Sequence, residues 1–234
     1  MMEEYKKQIN LKEIGEKGQE VICNARITVI GVGGLGSVIL MYLARMGVGH
    51  LKIIDFDCVE VSNLARQILY NKEDVGKLKV LIAKKRMLDI NAQIDIVEVA
   101  EKIDKDNISN LLDEYDIIVD VVDNMETRKI INQYAQKKNK IVVEGAVQGF
   151  EGTVMVIKPG SPLQFNKVYP DYEYEIQSDD GVLGSIVGTI GTIVVTETVK
   201  VILDIPSALS KKVLVFDGKN MDFRLVTIGE KSDA

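Results

Sequence analysis

The chain has 234 residues, 46% hydrophobic and 27% charged, enough for one substantial core or a core with a small appended unit. Its net charge of −6 argues against a nucleic-acid surface, and two cysteines, Cys23 and Cys58, are too few for a metal cage or a disulfide framework. No apolar run of the roughly 18 residues that a membrane span needs stands out, and MMEEYKKQINLKEIGEKG lacks an apolar signal core, so a cytoplasmic protein without membrane or nucleic-acid partners is expected.

In chain order, residues 1–24 predict a short, exposed helical arm. RITVIG, from Arg26, is a compact β-branched run of the kind buried on both faces of a parallel sheet. LGSVILMYLARMG follows with helical spacing and stops at Gly47 and Gly49. LKIIDFD is the next strand. VGKLKVLIAKKRMLDIN is a helix with Leu78, Leu81, Ile82 and Met87 on or near one face. IDIVEVA and YDIIVDVVDN are the third and fourth strands, TRKIINQYAQKKN a helix, and IVVEGAVQG a further strand. This alternation predicts an α/β fold, a doubly wound, Rossmann-like, mainly parallel sheet, with residues 25–149 as its nucleotide-binding core.

After Gly149 the rhythm changes. EGTVMVIKPG is a strand, and Ser161 to Val182 has no clear period. LGSIVGTIGTIVVTETVKVIL is a long apolar helix, expected in the core, and KKVLVFDG with MDFRLVTI reads as a hairpin. Residues 150–234 are therefore expected to be a C-terminal β extension of the same domain, with a crossover loop at about 158–182. Loops of that length are functional or disordered.

The first strand runs into GVGGLGS. Gly31, Gly33 and Gly36 have the G-x-G-x-x-G spacing, with Asp55 about 20 residues on. Such a loop offers backbone N–H groups and a helix N-terminus to an anion. Gly33 permits close approach, Gly36 lets the helix pack on the strand, and Asp55 suits ribose hydroxyls. NAD, FAD and ATP are served equally, and a glycine turn that merely packs helix on strand has the same pattern. What separates them comes later. DFDCVEVSNLARQILY places Asn63 and Arg66 beyond the second strand, VGKLK adds Lys79, and VVDN puts Asp123 and Asn124 at the tip of the fourth. In an open α/β sheet these tips converge on one crevice. Hydride transfer has no use for that set, whereas a triphosphate does: Arg66 and Lys79 neutralise its outer phosphates and Asp123 holds Mg²⁺. Singly, Arg66 and Lys79 read equally as solvated charges, and Asp123 as a cap for METRKI. Together they favour ATP.

The order GVGGLGS, DFD, SNLARQ, VGKLK, VVDN, EGAVQGFEGTV and GVLGSIVGTIG resembles the ThiF/MoeB/HesA family, relatives of the ubiquitin-activating enzymes, from about Tyr5 to Leu203. Members adenylate the C-terminal glycine carboxylate of a small ubiquitin-like sulfur carrier, release diphosphate, and are typically homodimers. The resemblance implies that Gly34 touches the phosphates and Asp55 the ribose, and that Ser62 to Arg66 line the triphosphate. Asn63, Arg66, Lys79 and Asp123 would be the catalytic contacts. ATP would meet Gly31, Gly33, Gly34, Gly36, Asp55, Asp57, Ser62, Asn63, Arg66, Lys79, Asp123 and Asn124, with Mg²⁺ on Asp123. A carboxylate attacking the α-phosphorus needs positioning and charge neutralisation rather than acid–base help. The lone histidine, His50, is thus expected to be structural or solvent-exposed.

Three departures from the family pattern stand out. Many relatives carry two C-x-x-C pairs for structural zinc; the first would fall at LQFN, Leu163 to Asn166, so no zinc is expected. Many have a loop cysteine near the position of Gln177, within DYEYEIQSDD, which holds five acids and no base. Cys58 is expected to be buried and inert, so the chain would stop at the acyl adenylate and leave sulfur transfer to a separate thiol or sulfide. Relatives often place an N-terminal arginine in the partner subunit's ATP site; Lys7 stands there, keeping the charge but losing the bidentate fork. Against the leading reading stand adenylation of another peptide or small-molecule carboxylate, a non-catalytic nucleotide-binding scaffold subunit, and a dehydrogenase.

Overall fold

The computed structural model describes residues 3–170 and 181–228. Strands β1 (Arg26–Ile30), β2 (His50–Ile54), β3 (Asp95–Val99), β4 (Ile117–Asp120) and β5 (Ile141–Gln148) run parallel in the order β3-β2-β1-β4-β5. Their side chains alternate between two packed faces. Ile27 and Val29 of β1 enter one core, and Ile30 the other. Buried side chains of this size stabilise by about 1.5–3 kcal/mol each, and crossover helices are what cover both faces of such a sheet. Helices α2 (Gly15–Asn24), α3 (Gly34–Met46), α4 (Lys79–Ile90) and α8 (Gly184–Ile202) line the first face; α5 (Ile108–Leu112) and α6 (Met125–Lys138) line the second.

The sheet does not end at β5. Strands β6 (Glu151–Ile157), β7 (Lys212–Asp217) and β8 (Asp222–Thr227) continue it antiparallel to eight strands. The turn at Gly149 permits this reversal through its left-handed φ of 58°. A small third cluster, Met155, Leu163 and Val213, lies beside the short helix α7 (Phe165–Val168).

Several expectations need correction. The N-terminal arm, α1 (Lys6–Ile9) and α2, is not simply exposed, because Tyr5, Gln19 and Ile22 are buried. Amides do this work: Gln8 and Gln19 each donate to Met46 O at 3.0 Å, and Asn91 Nδ2 donates to the Tyr5 hydroxyl at 3.0 Å. On α4 the inward residues are Val80, Ala83 and Met87, whereas Leu81 is 50% exposed. Helix α5 lies in a stretch whose period was too short to declare it. Cys58 is exposed, while its neighbour Val59 is the buried residue. Helix α8 is long and apolar enough to cross a membrane by composition, contrary to the absence expected. Its Ile186, Ile190, Val194 and Val195 nevertheless sit in the core. Gln177 and the acidic stretch around it, Asp171 to Asp180, lie outside the described residues.

Candidate active site

Strand β1 runs into Gly31, whose φ of 94° is one that L side chains rarely adopt. A Cβ there would lie 2.7 Å from Val121 O, just past β4, so the glycine also lets the two strand tips touch. A Cβ on Gly36 would overlap Gly31 O outright. Both are fixed by the fold. Gly33 is different. Its φ is an ordinary −80°, and the nearest heavy atom to a Cβ there is Gln67 Nε2 at 3.6 Å. Packing alone leaves room for a side chain at Gly33, and its absence leaves backbone open to a ligand.

Helix α3 starts at Gly34 with no side-chain cap and no acid in its first turn. Ser37 does not serve as one, because its hydroxyl donates to Gly33 O at 2.6 Å. The first-turn N–H groups thus face outward without a side-chain partner, at the positive end of the helix. The SNLAR segment lies against this point: a Cβ on Gly34 would be 3.5 Å from Arg66 O. The start of α8 joins them, with Ala65 O 2.8 Å from where a Gly184 Cβ would be.

Beneath the loop, Asp55 follows β2. Its Oδ2 accepts from Val32 N at 2.7 Å and its Oδ1 from Asp57 N at 2.8 Å. Burial pushes the Asp55 carboxyl above the ordinary carboxylate range, while Lys79 and the two N–H donors pull it back. Lys79, 6% exposed by its side chain, bonds Asp57 Oδ2 at 2.8 Å, and Asp57 stays half open to solvent. Lys79 is therefore a buried cation with one face committed. Tyr70 donates its hydroxyl to Val32 O at 2.8 Å and steadies the loop from below.

Asn63 is buried at the end of a 3₁₀ turn, Val61–Asn63. Its Oδ1 accepts from Glu60 N at 3.2 Å, and its Nδ2 is 3.4 Å from Ser62 Oγ. Arg66 is half-buried and donates from Nη1 to Ser62 O at 3.1 Å, which leaves most of its guanidinium unused. At the β4 tip the cap of α6 is Asn124, whose Oδ1 accepts from Thr127 N at 2.9 Å. That duty does not fall on Asp123. Asp123 is exposed and has no hydrogen bond or ion pair among the described residues. No side-chain contact joins Asp123 or Asn124 to the Asp55–Lys79 group; what brings them near is the β1–β4 pairing and the Gly31–Val121 contact. His50 is half-exposed, 3.4 Å from Asp95 Oδ2 at the opposite end of its strand from Asp55. Lys7 is exposed on α1.

Two residues the sequence reading left out belong here. Gln67 is 3% exposed beside Gly33, and its Oε1 has no partner. Arg128 sits buried behind the β4 tip. Gln67 was signalled only as the last letter of SNLARQ, and Arg128 only by its spacing of four from Asn124 and from Asn132.

A profile of the ThiF family matches residues 5–234. The chain is 34% identical to the sulfur carrier protein adenylyltransferase of Thermus thermophilus, covering 97% of this chain and 87% of that one. It is 34% identical to the SAMP-activating enzyme E1 of Haloferax volcanii, covering 96% and 84%. With the adenylyltransferase and sulfurtransferase MOCS3 of Culex quinquefasciatus it shares 37% identity over 98% of its length but spans only 53% of that longer protein. Among solved structures, E. coli MccB with ATP superposes with a TM-score of 0.83 at 21% identity, over 97% of this chain and 74% of that one, a likeness of fold.

Proposed function

The chain belongs to the ThiF family, and from that premise we propose that it is an ATP-dependent adenylyltransferase acting on the C-terminal glycine carboxylate of a ubiquitin-like sulfur carrier. Similarity to the adenylyltransferases of Thermus and Haloferax supports the reaction class. The observation that carries the reading is the uncapped, acid-free N-terminus of α3 with Gly33 open beside it and the Arg66 backbone packed on Gly34.

In this reading the α3 N–H groups, with Gly31 to Gly36 shaping the loop, receive the phosphates of ATP. Asp55, held through both oxygens by backbone, presents remaining lone pairs to the ribose hydroxyls. Lys79 and Arg66 neutralise the β- and γ-phosphates, with Ser62 and Asn63 setting the Arg66 turn. The fit to Mg²⁺ rests on Asp123, because an exposed carboxylate free of partners among the described residues is the kind of single ligand that the ion takes alongside phosphate oxygens. Bound there, Mg²⁺ would supply charge neutralisation for the departing diphosphate. The carrier's carboxylate oxygen forms a bond to the α-phosphorus as the bond from that phosphorus to the bridging oxygen breaks. The products are the acyl adenylate and diphosphate. Positioning and charge do the work, and no side chain has to move a proton.

Without a cysteine at Gln177, the proposal stops at the adenylate and leaves sulfur to a second protein. It also places the chain in the cytoplasm as a homodimer, with the exposed Lys7 reaching the partner subunit's ATP site. The test is intact mass measurement of small Gly-Gly-ending carriers after incubation with the chain, ATP and Mg²⁺. One carrier is expected to gain the mass of AMP. A gain on unrelated Asn-ended peptides instead would redirect the reading to another carboxylate, and ATP binding with no adduct on any substrate would replace it with a scaffold.

A further inference from the structure

Behind the β4 tip lies a charged cluster that the reaction above does not use. Arg128, on the first turns of α6, is 3% exposed, Glu144 on β5 is 1% exposed, and Asp120 at the end of β4 is fully buried. Arg128 Nη2 donates to Val122 O at 2.6 Å and to Gly145 O at 2.8 Å, and its Nη1 lies 3.1 Å from Glu144 Oε1. Asn132 donates to Glu144 Oε2 at 3.3 Å, and the Tyr169 hydroxyl donates to Glu144 Oε1 at 3.2 Å.

Stability does not account for this cluster. Desolvating an ion costs several kcal/mol, and packed apolar residues commonly replace a buried ion pair without loss. Here, among the described residues, Glu144 alone lies within ion-pair distance of the Arg128 guanidinium, Asp120 acts on it only through space, and both Asp120 Oδ2 and Asn132 Oδ1 are left buried without a hydrogen bond. What the cluster does achieve is local. Val122 has its carbonyl held by Arg128 and its N–H held by Asp120 Oδ1 at 3.3 Å. On the other side, Asn124 is fixed as the α6 cap. Asp123 lies between these two anchors, its own carboxylate without a partner among the described residues.

We propose that Arg128 is a positioning residue for adenylyl transfer: by tying Val122 O to Gly145 O it fixes the backbone that presents Asp123 to the nucleotide's metal. The inference rests on the reading of Asp123 as the magnesium carboxylate. A guanidinium is needed because one planar group must reach two carbonyls and a carboxylate together, which the single point of a lysine ammonium does not do.

The test compares Arg128→Lys, Arg128→Gln and Asp123→Asn with wild type. It reads the Mg²⁺ concentration for half-maximal ATP–diphosphate exchange, ATP affinity in EDTA, and the thermal melt. A folded Arg128→Lys or Arg128→Gln protein is expected to need about tenfold more Mg²⁺ or beyond, the usual cost of losing a group that orients a metal ligand. Its metal-free ATP affinity should be unchanged, a split that a merely loosened fold would not produce. A shifted Asp123→Asn protein beside a folded Arg128 variant with wild-type Mg²⁺ dependence overturns the Arg128 role alone. Wild-type dependence in Asp123→Asn overturns the magnesium reading and this inference with it. Failure of both Arg128 variants to fold assigns the residue to stability and likewise overturns the proposal.

Discussion

On the glycine-loop side of the crevice, the groups that a nucleotide would meet are already held. Asp55 is bonded by Val32 N and Asp57 N, Lys79 by Asp57, and the loop by the Tyr70 hydroxyl. On the side of SNLAR and the β4 tip, Arg66 rests on one carbonyl of its own turn, and Asp123 on nothing among the described residues. The first arrangement costs no reorganisation when ligand arrives, which suits holding the ribose and, through Lys79, the phosphates. The second keeps its charges available for groups that change during reaction. Under the proposed function the first side serves mainly binding and the second mainly chemistry, and substitutions should separate them.

The largest effect belongs to the built side. Gly36→Ala drives a methyl into Gly31 O, so it should lower stability by about 1–3 kcal/mol and abolish ATP binding, read by thermal melts and calorimetry. A variant that binds ATP normally would mean the loop is not rigid. Next comes Arg66→Ala, for which exchange activity should fall on the order of 10²–10³-fold with the melting temperature unmoved. A large drop in melting temperature would make Arg66 part of the framework instead. Gly33→Ala sharpens the contrast between glycines. With 3.6 Å of clearance for a methyl, the chain should lose less stability than Gly36→Ala while losing about tenfold in ATP affinity, roughly 1.4 kcal/mol. Unaltered affinity would show that nucleotide does not approach Gly33.

A separate effect concerns pH and the cluster behind the tip. Burial, with Asp120 nearby, raises the Glu144 carboxyl from its ordinary value near 4.5 to about 7, although Arg128 draws it down. The folded chain then keeps a proton that the unfolded chain releases. That contribution to stability is complete below about 4.5 and is lost as pH rises through about 7. Urea midpoints should therefore fall between pH 5 and 8 in wild type, and Glu144→Gln should flatten that fall. Parallel slopes in the two proteins would remove Glu144 from the account.

Most of the sheet was legible because parallel strands buried on both faces leave β-branched runs such as RITVI and LKII, and because Gly47 visibly ends α3. The continuation through β6 to β8 was readable as strands, but not as part of the same sheet, since pairing partners distant in sequence leave no local trace. The docking of the arm through Gln8, Gln19 and Asn91 went unread because amides look like solvated surface until their carbonyl partners are known. Exposure of Cys58 ran against the usual burial of its residue type. At the site, the motif order marked Asp55, Asn63, Arg66, Lys79 and Asp123. The Asp57–Lys79 pair, the Gln67 amide beside Gly33 and the Asp120–Arg128–Glu144 cluster emerged only from tertiary packing.

The most direct test is radiolabelled diphosphate exchange into ATP by wild type and Arg66→Ala, run beside AMP binding to both. The division of labour predicts exchange in wild type with a Gly-Gly carrier, near loss of it in Arg66→Ala, and equal AMP affinity. Full exchange by Arg66→Ala, or AMP binding lost in step with exchange, would contradict it.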